Sequence, residues 1–324
     1  MRIEMSRRAA AGLTAAVIAI GATAYADDYP ARPVRLMVGF GPGSSADITA
    51  RVLGARMGQI LGQQIVVEIK PGAASSLAAE LVARAPKDGY TLFIGSSANI
   101  TNQTINPNLP FDMGKDFAPI ALITTAPVIL VVHPSTGVTS VAGLIALAKA
   151  KPGEVLYAST GVGAAPHLAA ELFAMRAGVK LVHVPYQGSP QAVTDLLAGR
   201  VAMMFSPSSA VMPQVESGKL TALASAASKR PFIAPNIPTM AEAGLPDFDT
   251  SIWFGLMAPA GTPREVIDKL ARAVSEALRA DEVVKAYQTQ GFDTLSGGPE
   301  DFANIIQSEI RRWGDVAQAA GLKK

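Results

Sequence analysis

Val34-Arg35-Leu36-Met37-Val38 and the run that follows it, Gly39-Phe40-Gly41-Pro42-Gly43-Ser44-Ser45, decide the fold class. The first five residues are apolar but for one and read as a strand, and the glycine, proline and serine run reads as a turn. Ile48, Val52, Leu53, Met57, Ile60 and Leu61 then recur at helical spacing. Strand, turn and helix therefore form one unit, and similar units follow along the chain.

Further strands are expected at 65–69, 90–94, 128–132, 155–158, 181–184, 201–205 and 220–224, separated by helical segments. Such alternation predicts an α/β fold with mostly parallel strands. In the C-terminal quarter, Thr262, Pro263 and Glu265 read as a capping box with proline at the first helical position. Ile267, Leu270, Ala271, Val274 and Leu278 form the buried face after it, and a second helix after Pro299 carries Phe302, Ile306, Ile310 and Trp313. Breaks near Thr124–Pro127 and in the proline-rich 231–246 stretch divide the chain into a discontinuous domain, 27–126 with 251–324, and an inserted one, 127–250.

The N-terminus places Arg2, Arg7 and Arg8 before an uncharged stretch from Ala9 to about Ile20, then Ala22-Thr23-Ala24-Tyr25-Ala26. That is the layout of a signal peptide, residues 1–26, with cleavage expected after Ala26 and export to the periplasm. The apolar run is shorter than the ~20 residues that a bilayer demands. The chain holds 28 Lys and Arg against 26 Asp and Glu, so removing Arg2, Arg7, Arg8 and Glu4 leaves 25 of each. A neutral chain without a basic block has no footprint for nucleic acid or an anionic membrane surface. With no cysteine there is neither a disulfide framework nor thiolate chemistry.

Four strand candidates end in loops crowded with small hydroxyl and glycine residues: Gly41–Ser45, Ser96–Asn99, Ser159–Gly163 and Ser206–Ser209. One such loop is ordinary turn and cap chemistry. Four at the carboxyl ends of strands converge on the edge of a sheet where ligands sit, presenting helix N-termini to an anion. None contains Lys or Arg, so neutral dipoles and hydroxyls would hold that anion. Asp47 reads either as an acid favoured by the macrodipole in the first turn of its helix without any ligand, or as a functional group that contacts an amine or hydroxyl of the solute or orients the Ser44–Ser45 loop. Gly39-Phe40-Gly41-Pro42-Gly43 lacks the third glycine of a dinucleotide loop, and no cofactor is implied. Gly95-Ser96-Ser97-Ala98-Asn99 lacks the last glycine of a nucleophile elbow, and His133, His167 and His183 have no metal spacing.

Taken in order, several motifs resemble the Bug family, the extracytoplasmic solute receptors of tripartite tricarboxylate transporters. They are Gly39–Gly43 with Asp47 and Arg51, Pro86–Leu92, Lys115–Ile120, Ser159–Gly163 with His167-Leu168-Ala169, His183–Gly188, Trp253–Leu256 and Ala258–Pro263. The likeness runs from about Tyr29 to Ala320. It implies a type 2 periplasmic-binding-protein fold, two α/β domains joined by a hinge and closing on a small organic acid: a dicarboxylate, an acidic amino acid or an aromatic acid. It also implies a monomer that serves the membrane subunits of a tripartite transporter and catalyses nothing. The site it implies comprises Phe40, Gly43, Ser44, Ser45 and Asp47; Ser96 and Ser97 on the floor; Ser159, Thr160, Gly161, Val162 and Gly163 from the opposite domain; and Tyr186. Two departures lie near this site: Ser44 stands where the family usually has glycine, and the 105–112 stretch is shorter than the family pattern. A ligand-sensing partner of a sensor kinase and a periplasmic serine hydrolase are the rival readings.

Overall fold

In the computed structural model, which describes residues 29–162, 164–186, 189–319 and 321, the expected unit opens the fold. Strand β1 (Val34–Val38) leads to helix α1 (Ser45–Leu61), and β2 (Ile65–Ile69) pairs parallel to β1. The buried face of α1 is Ala46, Ala50, Leu53 and Met57, whereas Ile48 and Val52 are only partly covered. Small residues win that face because the helix lies close on the sheet: a Cβ on Gly54 would stand 3.2 Å from Ile65 Cγ2.

A 3-10 turn (Ala73–Ser75) and α2 (Ser76–Ala83) follow, then β3 (Thr91–Ser96) running directly into α3 (Ser97–Ile105). Next, β4 (Phe117–Ala126) leaves this sheet and, through Pro127 alone, becomes β5 (Val128–Val132) of a second one. The second body adds α4 (Val141–Ala150), β6 (Leu156–Ser159), α5 (Ala165–Ala177), β7 (Val182–Pro185), α6 (Ser189–Leu197), β8 (Met203–Pro207), α7 (Ser208–Glu216) and β9 (Thr221–Ser225). The chain then returns as β10 (Ile252–Pro259), α8 (Arg264–Ala277), α9 (Asp281–Thr289), the short β11 (Asp293–Thr294) and α10 (Pro299–Ala319).

The sheet orders are β11-β4-β10-β3-β1-β2 and β7-β6-β8-β5-β9. Each is mixed. Strands β1, β2 and β3 are parallel, as are β6, β7 and β8, but β4, β5, β9, β10 and β11 enter antiparallel pairings. The expectation of mostly parallel strands is corrected here, because a strand that carries the chain between sheets needs no helical crossover and its direction is free. A second correction concerns the start of α8. Its N-cap is Pro263 and has no side-chain cap, while the Thr262 hydroxyl donates to the Pro259 carbonyl at 2.8 Å. Thr262 thus closes the preceding turn and no capping box forms.

Phe302, Ile306 and Trp313 of α10 are buried as their spacing predicts, in an apolar cluster that continues through Phe93 to Phe173 and Phe205 of the second body. Phe302 fits only because residue 255 of β10 is glycine: a Cβ there would lie 2.2 Å from its Cζ. Among the described residues, no helix is long and apolar enough to cross a membrane. The expected signal segment, 1–26, lies outside the described residues.

Candidate functional site

Between the two sheets lies a cavity of about 490 Å³. Helices α1, α3, α5, α6 and α7 all turn their N-terminal ends to it. Ser44 and Ser45 come from the start of α1, Ser96 and Ala98 from that of α3, Ala164, Ala165 and Pro166 from α5, Ser189 from α6, and Pro207 from α7. This arrangement follows from the connections: β1, β3, β6 and β8 each pass into a helix at the cavity edge, so first-turn N–H groups are presented there without intrahelical partners. Each such end carries partial positive charge and favours an anion.

Four loops expected to converge do supply this lining, and Phe40, Ser44, Ser45, Ser96 and Thr160 border the cavity. The other expected residues that are described are not part of the lining. Asp47 is 4 % exposed, and its carboxylate accepts from Gly43 N at 2.8 Å and from Arg51 Nε at 2.7 Å. Gly43, at φ 74°, adopts the left-handed turn that this bond closes, and Asp47 N donates to Ser44 Oγ. These bonds match the branch of the functional reading in which Asp47 orients its own loop.

Both Ser96 and Ser97 are buried; Ser96 borders the cavity, with backbone N and Oγ both donating to Asn99 Oδ1, and Ser97 is not part of the lining. Ser159 is fully buried. Its Oγ accepts from Gly161 N at 3.1 Å, donates to Gly161 O at 3.0 Å and lies 2.6 Å from His183 Nε2. The Ser159–His183 pair has the composition of a nucleophile and base, yet it is spent on shaping the loop beneath Thr160 and is not turned into the cavity. His167 does not face the cavity either: it is 3 % exposed and stacks on His183 with ring centroids 4.0 Å apart. Val162 is exposed, and Tyr186 donates its hydroxyl to Asp195 Oδ2. Gly163 lies outside the described residues, as do Gln187 and Gly188.

Sequence reasoning missed Ala46, Ala164, Ala165 and Pro166, which continue the expected loops into their helices, and four lining residues that lie elsewhere. Ile252 and Phe254 come from β10 where it re-enters the first sheet, Ser189 opens α6, and Ala74 sits in the 3-10 turn. That turn holds Ala73, Ala74 and Ser75 at φ 46°, 51° and 74°, a conformation that no glycine announces. The lining thus has an apolar wall of Phe40, Ile252, Phe254 and several alanines facing the hydroxyl-bearing helix ends.

The profile of the tripartite tricarboxylate transporter family receptor, TctC, matches residues 49–322. Protein BugT of Bordetella pertussis is 39 % identical over 314 residues, covering 96 % of each chain. Among solved structures, Rpa4515 of Rhodopseudomonas palustris with adipate superposes with a TM-score of 0.80 at 36 % identity, over 91 % of this chain and 99 % of that one. MatC from the same organism, with bound malate, gives 0.76 at 33 % identity over 89 % and 99 %. The two α/β domains with mixed sheets are those of the type 2 periplasmic-binding-protein fold.

Proposed function

Since the chain belongs to the tripartite tricarboxylate transporter receptor family, we propose that it captures a small carboxylate-bearing solute between its domains and delivers it to the membrane subunits of a tripartite transporter. The observation that carries this reading is the convergence of helix N-termini from both sheets on one cavity whose lining, among the described residues, carries no charged side chain. A carboxylate there is held by N–H and hydroxyl donors fixed before it arrives, from Ser44 and Ser45 on one side and the Thr160 loop on the other. Neutral donors of modest individual strength suit reversible capture. In this proposal the binding residues also include those of the loops behind the lining: Gly43, Asp47, Ser159 and Gly161 fix the donors, while Gly163 and Tyr186 belong to the same loops. The two bodies that move are 27–126 with 251–324 and 127–250. The protein works as a periplasmic monomer after removal of 1–26, and it catalyses no reaction.

A thermal-shift screen of organic acids on the exported chain tests the reading. An acid at 100 times its dissociation constant adds about 2.7 kcal/mol of apparent stability. Ser45→Ala should weaken binding of the best acid about tenfold, the loss of one charge-assisted hydrogen bond of roughly 1.5 kcal/mol. Titration calorimetry reads that loss. A generic ester hydrolysed by the wild type and not by Ser159→Ala would favour the hydrolase instead.

A further inference from the structure

The electrostatics of the cavity divide the carboxylic acids it can accept. Five helices turn positive ends to it, and among the described residues its lining contains no Asp, Glu, Lys, Arg or His. The sequence carries no ionisable side chain at 163, 187 or 188. An anion meets favourable potential at each helix end. An ammonium group on the same solute meets the opposite: positive helix ends, no carboxylate to pair with, and partial loss of its water.

Asp47 is the acid nearest in sequence to the lining serines, and its two oxygens are already engaged. Oδ2 accepts from Gly43 N and Oδ1 from Arg51 Nε, with the side chain only 6 % exposed. Turning it toward a ligand amine would release both partners and undo the left-handed turn at Gly43 that shapes the first loop. Ser44, Ser45, Ser96, Thr160 and Ser189 bring neutral hydroxyls, which can accept from an ammonium but carry no charge to balance it, and the other lining side chains are apolar. Phe40, Ile252 and Phe254 offer a surface for hydrocarbon and nothing for a cation except ring faces.

We propose that the cleft is built for carboxylic acids without an amino group, with a hydrocarbon body lying on Phe40, Ile252 and Phe254, and that it rejects α-amino acids of the same length. This narrows the solute classes left open by the sequence, removing the acidic amino acids, and it rests on the reading of the cleft as the carboxylate site.

Matched pairs test it: succinate against aspartate, adipate against 2-aminoadipate, and 3-phenylpropionate against phenylalanine, each titrated calorimetrically at pH 7. For every pair with a binding member, the amino acid should bind at least tenfold more weakly, a difference of about 1.4 kcal/mol. Asp47→Asn then asks whether that carboxylate serves a ligand amine; it should change both members of a pair by the same factor. An amino acid that binds as tightly as its partner overturns the inference and leaves the receptor reading standing. A selective loss of the amino acid in Asp47→Asn overturns it as well, by making Asp47 the missing counter-ion. Absence of binding by every acid, with or without the amine, overturns the receptor reading and this inference together.

Discussion

At the scale of single residues, the wall of the cleft is held by an unusual backbone run. Ala73, Ala74 and Ser75 are all left-handed, and each side chain with a Cβ costs about 1 kcal/mol or more in that region. Ser75 is pressed against Gly39 at the end of β1, where a Cβ would lie 1.9 Å from Ser75 Oγ and 2.6 Å from its Cα. Two substitutions should therefore move stability in opposite directions. Ala74→Gly should add about 0.5–1 kcal/mol by relieving the backbone, and Gly39→Ala should remove about 1–3 kcal/mol because the backbone of Ser75 must give way. Urea denaturation of both variants checks the signs. Nothing in Ala73-Ala74-Ser75 announces this conformation, so Ala74 was invisible as a lining residue. The serines of the first and second loops were legible because strand, small residues and helix follow one another directly in the chain.

At the scale of elements, β6, β7 and α5 enclose a titratable cluster behind the Thr160 loop. His167 and His183 stack on each other, and Tyr157 stacks on His183 and donates to Glu171 Oε1. Burial pushes both imidazoles down to about 4, His183 further by the neighbouring His167 and against the pull of Glu171. An unfolded imidazole titrates near ~6.5. Between about 6.5 and 4 the unfolded chain therefore takes up protons that the folded chain refuses, so stability present above that window is lost as pH falls through it. Urea midpoints at several pH values should show this loss, and His167→Phe, which keeps a ring in the stack, should reduce it relative to the wild type. An unchanged pH profile in that variant would remove His167 from the account.

The elements themselves were read unevenly. Strands β1, β2 and β5 have the expected bounds, since each is a short apolar run between turns. Strands β4 and β10 were missed: Pro119 and the threonine pair interrupt the first, and Gly255 the second. Both are the strands that carry the chain between domains, and β10 brings Ile252 and Phe254 to the cavity. Ile252 and Phe254 were thus hidden for the same reason that the sheets were expected to be parallel, whereas Phe40 of the same wall was legible from the first loop.

At the scale of the whole molecule, binding in the proposed cleft would couple the two bodies, because its lining comes from elements of both sheets and no single sheet supplies the cavity. The chain crosses between sheets at Pro127 and again between β9 and β10. Beside these crossings is a recess of about 270 Å³, bordered by Thr125, Pro127, Ala227, Ser228, Asp249 and Ser251 together with Trp253 and Glu309. Arg312 of α10 donates to the Asp249 carbonyl at 2.6 Å, so the first body grips one crossing directly. Any rotation of one domain on the other changes the surroundings of Trp253, which is 6 % exposed and sits where β10 emerges from the crossing. Trp313, the other tryptophan, is held by Glu309 Oε2 at 2.6 Å inside α10 and is carried with the first body. A Trp313→Phe variant leaves Trp253 as the single reporter. Its emission should shift on addition of a binding acid and saturate with the same dissociation constant that calorimetry gives. In a Ser45→Ala, Thr160→Ala double variant the shift should need a higher acid concentration than in the wild type, since each body then loses one hydroxyl donor while Ser44, Ser96 and Ser189 remain. Saturable binding with no change in Trp253 emission would mean that the acid is held without relative movement of the domains.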